Sequence, residues 1–509
     1  MNQYVFDPVK PVIETKYGKL RGVTYGDVNI FMGVQYATAR RFHQPEEPEK
    51  WEGVKDAFLH GPVSPLMEIH RPFNLYRGIH LLQIEREDCQ NLNIWAPKTL
   101  NGEKKPVFVW MHGGGFFAGN AFEEYSFDGF NLAHYGDIVF VSINHRLNIV
   151  GHFNLEEYGE KYHNSVNCGI ADLVLALRWV HENIAAFGGD PENVTICGHS
   201  GGGAKVLSMY QIEETKDYFQ RGICMSGVVP KQEAEREKSR ALAAETLKLL
   251  GIAAENVDDV CDVPFDELVA AAKQAAKNIG VPNPAFLFAP MRNEWYAGLP
   301  SEGDFAEFSK DKPTLFGTTL GEFPRVRLTE AEKAAMTEDD KIAFLKERYG
   351  DLAEEMMAEF RKAYPSHDIL DLAYTDITFR VPTRKAAMLK AAKSPENTWV
   401  YLCSYNCPED GWIPMWHGGD VAYAFMNEDR VYVLNEAIYG QKMSEIFSTT
   451  FLNFIKTGNP NNKYLPKWEP FTTEHHYAMI IDRESELREA HDERLTELIE
   501  KSGKHTLGF

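Results

Sequence analysis

Several short runs in the first half of the chain are apolar at nearly every position. Residues 107–111 (VFVWM) and 138–144 (IVFVSIN) show this pattern instead of the alternation of a half-exposed strand. A strand that is apolar on both faces belongs to a sheet covered on both sides, which is typical of parallel sheets. The two runs therefore predict central strands of an α/β sheet.

A helical periodicity follows these runs. Between residues 170 and 187 apolar positions recur at spacings of three and four, and Gly188 and Gly189 end the pattern. A short apolar run at 194–197, a glycine-rich turn and a second helical stretch from about Ala204 come next. Strand, helix, strand, turn and helix in this order are typical of a parallel sheet.

The other patterns predict a single domain over residues 1–509. Glycine-interrupted β-rich runs at 11–37 predict an antiparallel meander at a sheet edge. Stretches rich in Ala, Glu, Lys and Leu at about 231–277 and 329–363 predict inserted helices that cap the sheet. Residues 484–502 predict an amphipathic helix that packs on its own domain, with a dimer seam as the alternative. Further strand-like runs lie at 314–316, 399–404 and 477–481.

Composition and charge narrow the classes of partner. The 509 residues are 44% hydrophobic and 25% charged, as in an ordinary globular protein. Their 53 Lys and Arg against 74 Asp and Glu give a net charge of −21, which repels phosphate backbones and anionic lipid headgroups. We therefore expect no nucleic-acid and no membrane partner, and a monomer or a weak homodimer.

The cysteines and the start of the chain indicate a compartment. Seven cysteines, an odd number without a C-x-x-C pair, are typical of reduced thiols. The first thirty residues have no basic segment followed by an apolar one, and no window holds eighteen uncharged apolar residues. We expect a cytoplasmic protein, with a removed signal peptide as the alternative.

The strongest chemical signal is G-x-S-x-G, formed by Gly198, Ser200 and Gly202 between the run at 194–197 and the following helix. A serine on so sharp a turn projects its hydroxyl above the sheet, and small neighbours let the helix pack beneath it. The pentapeptide also occurs by chance, but its strand-and-helix context favours a nucleophile. Cys197, three residues before Ser200, is an alternative thiol nucleophile, but on a buried strand it is expected to be a small core residue.

A second signal is HGGGF at residues 112–116, directly after an apolar strand. Acyl transfer builds negative charge on a carbonyl oxygen, and backbone N–H groups of a loop without side chains can converge on it. Gly114, Gly115 and Gly201 are the natural donors, with a simple tight turn as the alternative. Neither a P-loop with its lysine nor a dinucleotide-binding G-x-G-x-x-G is present. The sequence therefore indicates no cofactor and no metal site.

A serine hydroxyl needs a base, and the order expected for this architecture is serine, acid, histidine. Glu322 lies just past the strand-like run at 314–316, and His417 lies in PMWHGGD. Loops after strands are where an open α/β sheet places its active site. These residues are the leading candidates, although position alone does not separate His417 sharply from the other 16 of the 17 histidines.

Six blocks of the sequence resemble, in order, those of the type-B carboxylesterase and cholinesterase family. They are EDCQNLNIWAP, HGGGF, NCGIADLVLALRWVHENIAAFGGDPENVTICGHSGGG, GTTLGE, HGGDVAYAF and FLNFIKTGNPN. The resemblance implies an α/β-hydrolase fold, with a large, mostly parallel sheet covered by helices on both faces and an inserted helical cap. The implied catalytic triad is Ser200, Glu322 and His417. The implied oxyanion donors are Gly114, Gly115 and Gly201.

The chain departs from this family near the nucleophile and at one cysteine. Many members have Glu before the serine and Ala after it, whereas this chain has His199 and Gly201. His199 removes a negative charge, which speaks against a choline-like preference, and a packing role for this residue is the alternative. Cys89 matches a position that is disulfide-bonded in secreted members, but no cysteine precedes it here. The resemblance therefore favours an intracellular, bacterial-type carboxylesterase.

The expected reaction is hydrolysis of small-molecule carboxylic esters through an acyl-enzyme intermediate. One alternative keeps this machinery and changes the substrate to an amide, a thioester or a carbamate. The other is a catalytically silent adhesion or scaffold protein, which the filled triad positions disfavour.

Overall fold

The computed structural model describes residues 4–67, 83–98, 102–228 and 236–504. The strands are β1 (Tyr4–Val5), β2 (Val12–Glu14), β3 (Lys19–Arg21), β4 (Val23–Tyr25), β5 (Val28–Gln35), β6 (Val54–Asp56), β7 (Asn91–Pro97), β8 (Lys105–Met111), β9 (Val139–Ile143), β10 (Gly189–His199), β11 (Arg221–Met225), β12 (Thr314–Thr319), β13 (Thr398–Cys403), β14 (Asn406–Cys407), β15 (Ile413–Pro414), β16 (Tyr477–Ile481) and β17 (Glu486–Glu489). The α-helices are α1 (Phe130–Gly136), α2 (Asn148–His152), α3 (Cys168–Asn183), α4 (Gly201–Met209), α5 (Arg236–Leu249), α6 (Phe265–Asn278), α7 (Glu330–Ala335), α8 (Glu338–Tyr349), α9 (Ala353–Ala363), α10 (Asp371–Tyr374), α11 (Arg380–Lys393), α12 (Gly419–Ala424), α13 (Gly440–Thr457) and α14 (Glu493–Ser502).

One twelve-stranded sheet organises the chain. Its strand order is β1-β4-β5-β7-β9-β8-β10-β11-β12-β13-β16-β17. The seven strands from β9 to β16 run parallel to one another, and the pairings outside them are antiparallel. Since the carboxyl ends of parallel strands meet at one edge, the loops after β8, β10, β11 and β12 lie side by side. The expected α/β-hydrolase architecture is confirmed.

Both faces of the central sheet are buried, as the apolar runs predict. Along β8, Phe108 and Trp110 belong to the core on one face, and Val107 and Val109 belong to the core on the other. All four side chains are fully buried. Helices α12 and α13 contribute to the first core, and α3, α4 and α11 contribute to the second. Because all residues from 107 to 111 are buried, this part of the strand has no polar alternation.

The two predicted insertions are helical. The described part of the stretch 231–277 contains α5 and α6, and residues 231–235 lie outside the described residues. These helices share a separate core with Phe42 and Phe153 from the N-terminal third. The stretch 329–363 contains α7, α8 and α9.

Two expectations differ from the structure. The meander at 11–37 is divided, because β2 and β3 form a small sheet with β6 while β4 and β5 join the main sheet. Residues 484–502 do not form one helix. Their first part is β17, which pairs antiparallel with β16, and α14 begins only after Ala490 and Asp492 adopt left-handed backbone conformations. A left-handed residue interrupts a right-handed helix, so the periodic pattern could not be satisfied throughout.

Two further observations concern the state of the cysteines and the apolar character of the described helices. All seven cysteines are buried free thiols, including Cys89. None of the described helices combines the length and the apolar character needed to cross a membrane.

Candidate active site

Ser200 occupies the sharp turn between β10 and α4. Its backbone has φ 57° and ψ −128°, outside the regions that L-residues usually adopt. A hydrogen bond helps to hold this strained conformation: the Ser200 N–H donates to the Met225 carbonyl at 2.8 Å. A β-carbon at Gly202 would lie 2.0 Å from the Met111 carbonyl oxygen, so α4 rests directly on the end of β8. This agrees with the small neighbours that the motif predicts.

The glycine loop after β8 packs against this turn. Gly114 and Gly115 have φ values of 85° and 64°, which favour glycine. A β-carbon at Gly201 would lie 2.3 Å from the Gly115 Cα and 2.4 Å from its nitrogen. The two backbones are therefore in direct contact. No hydrogen bond to another described residue uses the N–H groups of Gly114, Gly115 or Gly201, so these donors are available to a ligand.

Glu322 and His417, which lie 95 residues apart in sequence, form a fully buried pair. The His417 Nδ1 lies 2.6 Å from Glu322 Oε2. The backbone N–H of His417 also donates to the Glu322 carbonyl at 2.9 Å. Since a carboxylate only accepts, Nδ1 carries the shared proton and Nε2 is left as an acceptor. This is the tautomer that a general base requires.

The second carboxylate oxygen of Glu322 has two further donors. The Ser226 hydroxyl donates to Oε1 at 2.6 Å, and the Thr319 N–H donates to the same atom at 2.9 Å. Ser226 follows β11 with φ 45°, and its own N–H is held by the Gly317 carbonyl at 2.7 Å. The sequence interpretation missed Ser226. Its only signal is a polar residue at the carboxyl end of a strand, next to the strand that carries Ser200.

Aromatic rings surround the imidazole of His417. Its ring centroid lies 4.2 Å from that of His199, 4.3 Å from Phe323 and 4.7 Å from Phe379. Because His199 precedes Ser200, its contact places the imidazole of His417 beside the turn at Ser200. The His417 Nε2 makes no hydrogen bond to any described residue, so the link to the Ser200 hydroxyl is not closed in this structure. Such links are often long until substrate is bound.

Burial controls the charges of these groups. It lowers the pKa of His417 and raises the pKa of Glu322, because a site shielded from water disfavours an isolated charge. Hydrogen bonds from Ser226 and Thr319 act in the opposite sense on Glu322 and favour its carboxylate. Burial also holds the pKa of His199 well below its usual range, so this imidazole is neutral. It does not restore the negative charge that Glu would supply there.

The structure thus brings the sequence-predicted residues into two adjacent groups. One is the turn at Ser200 with the facing glycine loop, and the other is the Glu322–His417 pair beside it. A hydroxyl, a neutral imidazole backed by a carboxylate and backbone N–H groups without another acceptor are the components that acyl-transfer catalysis requires.

Comparison with known proteins agrees with this chemistry. The sequence profile described as the carboxylesterase family matches residues 9–498. The para-nitrobenzyl esterase of Bacillus subtilis (strain 168) is 30% identical over 485 residues, covering 93% of this chain and 95% of that protein. An esterase from the anaerobe Clostridium hathewayi, described as able to hydrolyse aliphatic aromatic polyesters, has a TM-score of 0.92 at 36% identity and covers 99% of this chain and 100% of that chain. A carboxylesterase of Geobacillus stearothermophilus has a TM-score of 0.74 at 28% identity, with 96% and 99% covered. The chain therefore belongs to the carboxylesterase family and is a carboxylic ester hydrolase of the α/β-hydrolase fold.

Proposed function

We propose that Ser200 is the nucleophile of this esterase and His417 is its general base. Glu322 orients the imidazole of His417 and stabilises its positively charged form. The observation that carries this proposal is the buried 2.6 Å contact between His417 Nδ1 and Glu322, beside a serine on a strained strand-to-helix turn. The proposed oxyanion donors are the N–H groups of Gly114, Gly115 and Gly201.

The reaction follows from these roles. His417 Nε2 takes the Ser200 proton as the hydroxyl attacks the ester carbonyl, and the carbonyl oxygen becomes an oxyanion held by the glycine N–H groups. Collapse of this intermediate breaks the bond to the alcohol, which leaves with the proton from the imidazolium. Water then attacks the acyl-enzyme by the same route and releases the acid. Glu322 stabilises the transient imidazolium in both halves.

We infer that the substrates are small-molecule carboxylic esters, including esters with an aromatic group. Phe323 and Phe379 pack against the imidazole, and the partly exposed Phe323 gives the surroundings of the reacting atoms an aromatic surface. The similar Clostridium hathewayi esterase is described as acting on aliphatic aromatic polyesters. Ratios of kcat/KM for matched benzyl and alkyl esters test this inference. Benzyl esters that are not hydrolysed while the matched alkyl esters are would contradict it, and matched amides, thioesters and carbamates test the alternative substrates.

The Ser200→Ala variant tests the nucleophile. We expect turnover of a p-nitrophenyl ester to fall by a factor on the order of 10⁴ or more, with covalent labelling by a fluorophosphonate abolished. Ser448→Ala is the matched control, since Ser448 is a buried serine of α13 whose hydroxyl has no hydrogen-bond partner among the described residues. Undiminished turnover or labelling of Ser200→Ala would reject the proposed nucleophile.

We further propose a cytoplasmic protein that works as a monomer or weak homodimer and folds as one domain over residues 1–509. Seven buried free thiols support a reducing compartment. The match of the family over residues 9–498 supports a single folding unit. Cell fractionation, light scattering and limited proteolysis test the three statements, and an exported, tetrameric or cleanly divisible protein would contradict them. The net charge of −21 argues against nucleic-acid and membrane partners.

A further inference from the structure

A lysine lies fully buried in the helix that begins at the nucleophile. Lys205 is on α4 and has no exposed surface. Lysine is almost never fully buried unless its ammonium group is compensated, because removing the charge from water is unfavourable. Its presence one turn after Ser200 therefore calls for a specific partner.

That partner is the loop that carries two of the proposed oxyanion donors. The Lys205 Nζ donates to the His112 carbonyl oxygen at 2.9 Å, immediately before the glycine run. Gly201, four residues before Lys205 on the same helix, contacts Gly115 of that run. Positions i and i+4 share one face of a helix, so both contacts join the same face of α4 to the same loop. One contact is steric, and the other is a hydrogen bond from a cation.

The charged and titratable groups around the ammonium leave it weakly compensated. Glu123 is the acidic group that favours its charge, whereas His112, His145 and His152 are buried imidazoles whose pKa values lie below the usual range, mainly through burial. Burial lowers the pKa of Lys205 itself to about 7. The charge of this lysine therefore changes within the pH range in which an esterase is assayed.

We propose that Lys205 is a positioning residue for catalysis: its ammonium group holds the peptide between His112 and Gly113 and so keeps the N–H groups of Gly114 and Gly115 aimed at the oxyanion. This inference rests on the proposed function. A donor that is fixed before the reaction stabilises developing charge without reorganising.

The first test compares Lys205→Met with Lys390→Met. Lys390 is a matched control because it too is a fully buried lysine that donates to a backbone carbonyl, that of Lys310, but it lies on α11, away from the glycine loop. We expect Lys205→Met to lower kcat by roughly tenfold to a hundredfold, the rate equivalent of a charge-assisted hydrogen bond, with KM within about threefold. Lys390→Met should lower only thermal stability.

A transition-state mimic separates positioning from general loosening. A trifluoromethyl ketone adds to the serine and places an oxyanion among the same donors. Its inhibition constant should rise in Lys205→Met by the same factor by which kcat/KM falls, while Lys390→Met leaves it unchanged. If Lys205→Met keeps kcat and this inhibition constant within twofold of the wild type, the proposal is overturned.

The pH dependence of kcat gives a second test that does not require the Met variant to fold. The wild-type kcat should step down by about fivefold to a lower plateau as pH rises through the range in which Lys205 loses its charge, because a neutral amine still donates, but more weakly. Lys205→Arg keeps a charged donor throughout and should abolish this step. A wild-type kcat that stays constant from pH 6 to pH 10 would overturn the proposal. An inactive wild-type enzyme would overturn the proposed function instead.

Discussion

The contact between the turn at Ser200 and the glycine loop makes a strong prediction for Gly201→Ala. The new β-carbon would lie 2.3 Å from the Gly115 Cα and 2.4 Å from its nitrogen and oxygen, whereas ordinary contacts are 3.4–4 Å. All three atoms are backbone, so no side-chain rotation can relieve the clash. The loop must retreat from α4 by about 1 Å, the difference between the two distances.

This retreat acts on the proposed oxyanion donors. The N–H of residue 201 stays with α4, while those of Gly114 and Gly115 move with the loop, so the three no longer converge on one point. A misplacement of about 1 Å can lower a rate by about 10²-fold, and removal of a single oxyanion donor lowers it by about 10² to 10³. We therefore expect kcat to fall by at least about 10²-fold, accompanied by a loss of about 1–3 kcal/mol in stability from overpacking.

The assay is steady-state hydrolysis of p-nitrophenyl butyrate together with thermal unfolding. Gly136→Ala is the matched control, because it is a helical position of α1 at which a β-carbon would meet Leu452 Cδ2 at 2.3 Å, in the core and not at the glycine loop. We expect this variant to lose stability but to keep the wild-type kcat. A kcat for Gly201→Ala within twofold of the wild-type value would refute the reasoning, since the loop would then move without consequence for the reaction.

Two further predictions concern buried carboxylates. Ser226→Ala removes the 2.6 Å hydrogen bond to Glu322. Since a hydrogen bond to a charged group is worth about 1.5–3 kcal/mol, kcat/KM should fall by roughly tenfold to a hundredfold in the same assay. An unchanged kcat/KM would exclude Ser226 from positioning Glu322. His367 donates to Asp371 and Asp482 at 3.1 Å each. Burial lowers the pKa of His367, but the interactions with these two carboxylates outweigh burial and raise the pKa from 6.5 to about 9. Because the folded-state pKa is the higher one, this stabilisation, at most about 3 kcal/mol, is complete below pH 6.5 and is lost as pH rises through 9. Urea unfolding should show a destabilised His367→Gln at pH 6 and a much smaller difference from the wild type at pH 10, and equal differences at both values would contradict the assignment.

Much of the fold could be predicted from local patterns, because each pattern has one structural cause. The run at 107–111 lies in β8 and the run at 138–144 contains β9, and burial of these strands on both faces favours apolar side chains at nearly every position. The helix expected at 170–187 is α3, Cys168–Asn183, followed by a 3-10 turn. The helix expected from about Ala204 begins three residues earlier, at Gly201. Its first three residues are glycines, which have low helix propensity, but close packing against neighbouring backbone requires them there.

Other features depend on neighbours that a single sequence does not specify. Ser226 could not be assigned because its role depends on β11 lying between β10 and β12, and the order of strands in a sheet is not contained in local periodicity. The stretch 484–502 was wrongly expected to be one helix, because its apolar residues fit a helical period equally well. Pairing of β17 with β16 provides hydrogen bonds at the sheet edge that a helix there would lack.

The glycines around Ser200 have a single physical explanation. In this structure the segments that carry the proposed oxyanion donors touch through their backbones, and a β-carbon on Gly201 would push them apart. At Gly201 the neighbour is Gly115, at Gly202 it is the Met111 carbonyl, and at Gly203 it is Gly227, each within 2.7 Å of where a β-carbon would stand. Backbones in such contact have no side chains to hold them in place. A long side chain that reaches the loop from the next turn of α4, as Lys205 does, supplies the attachment that glycine cannot.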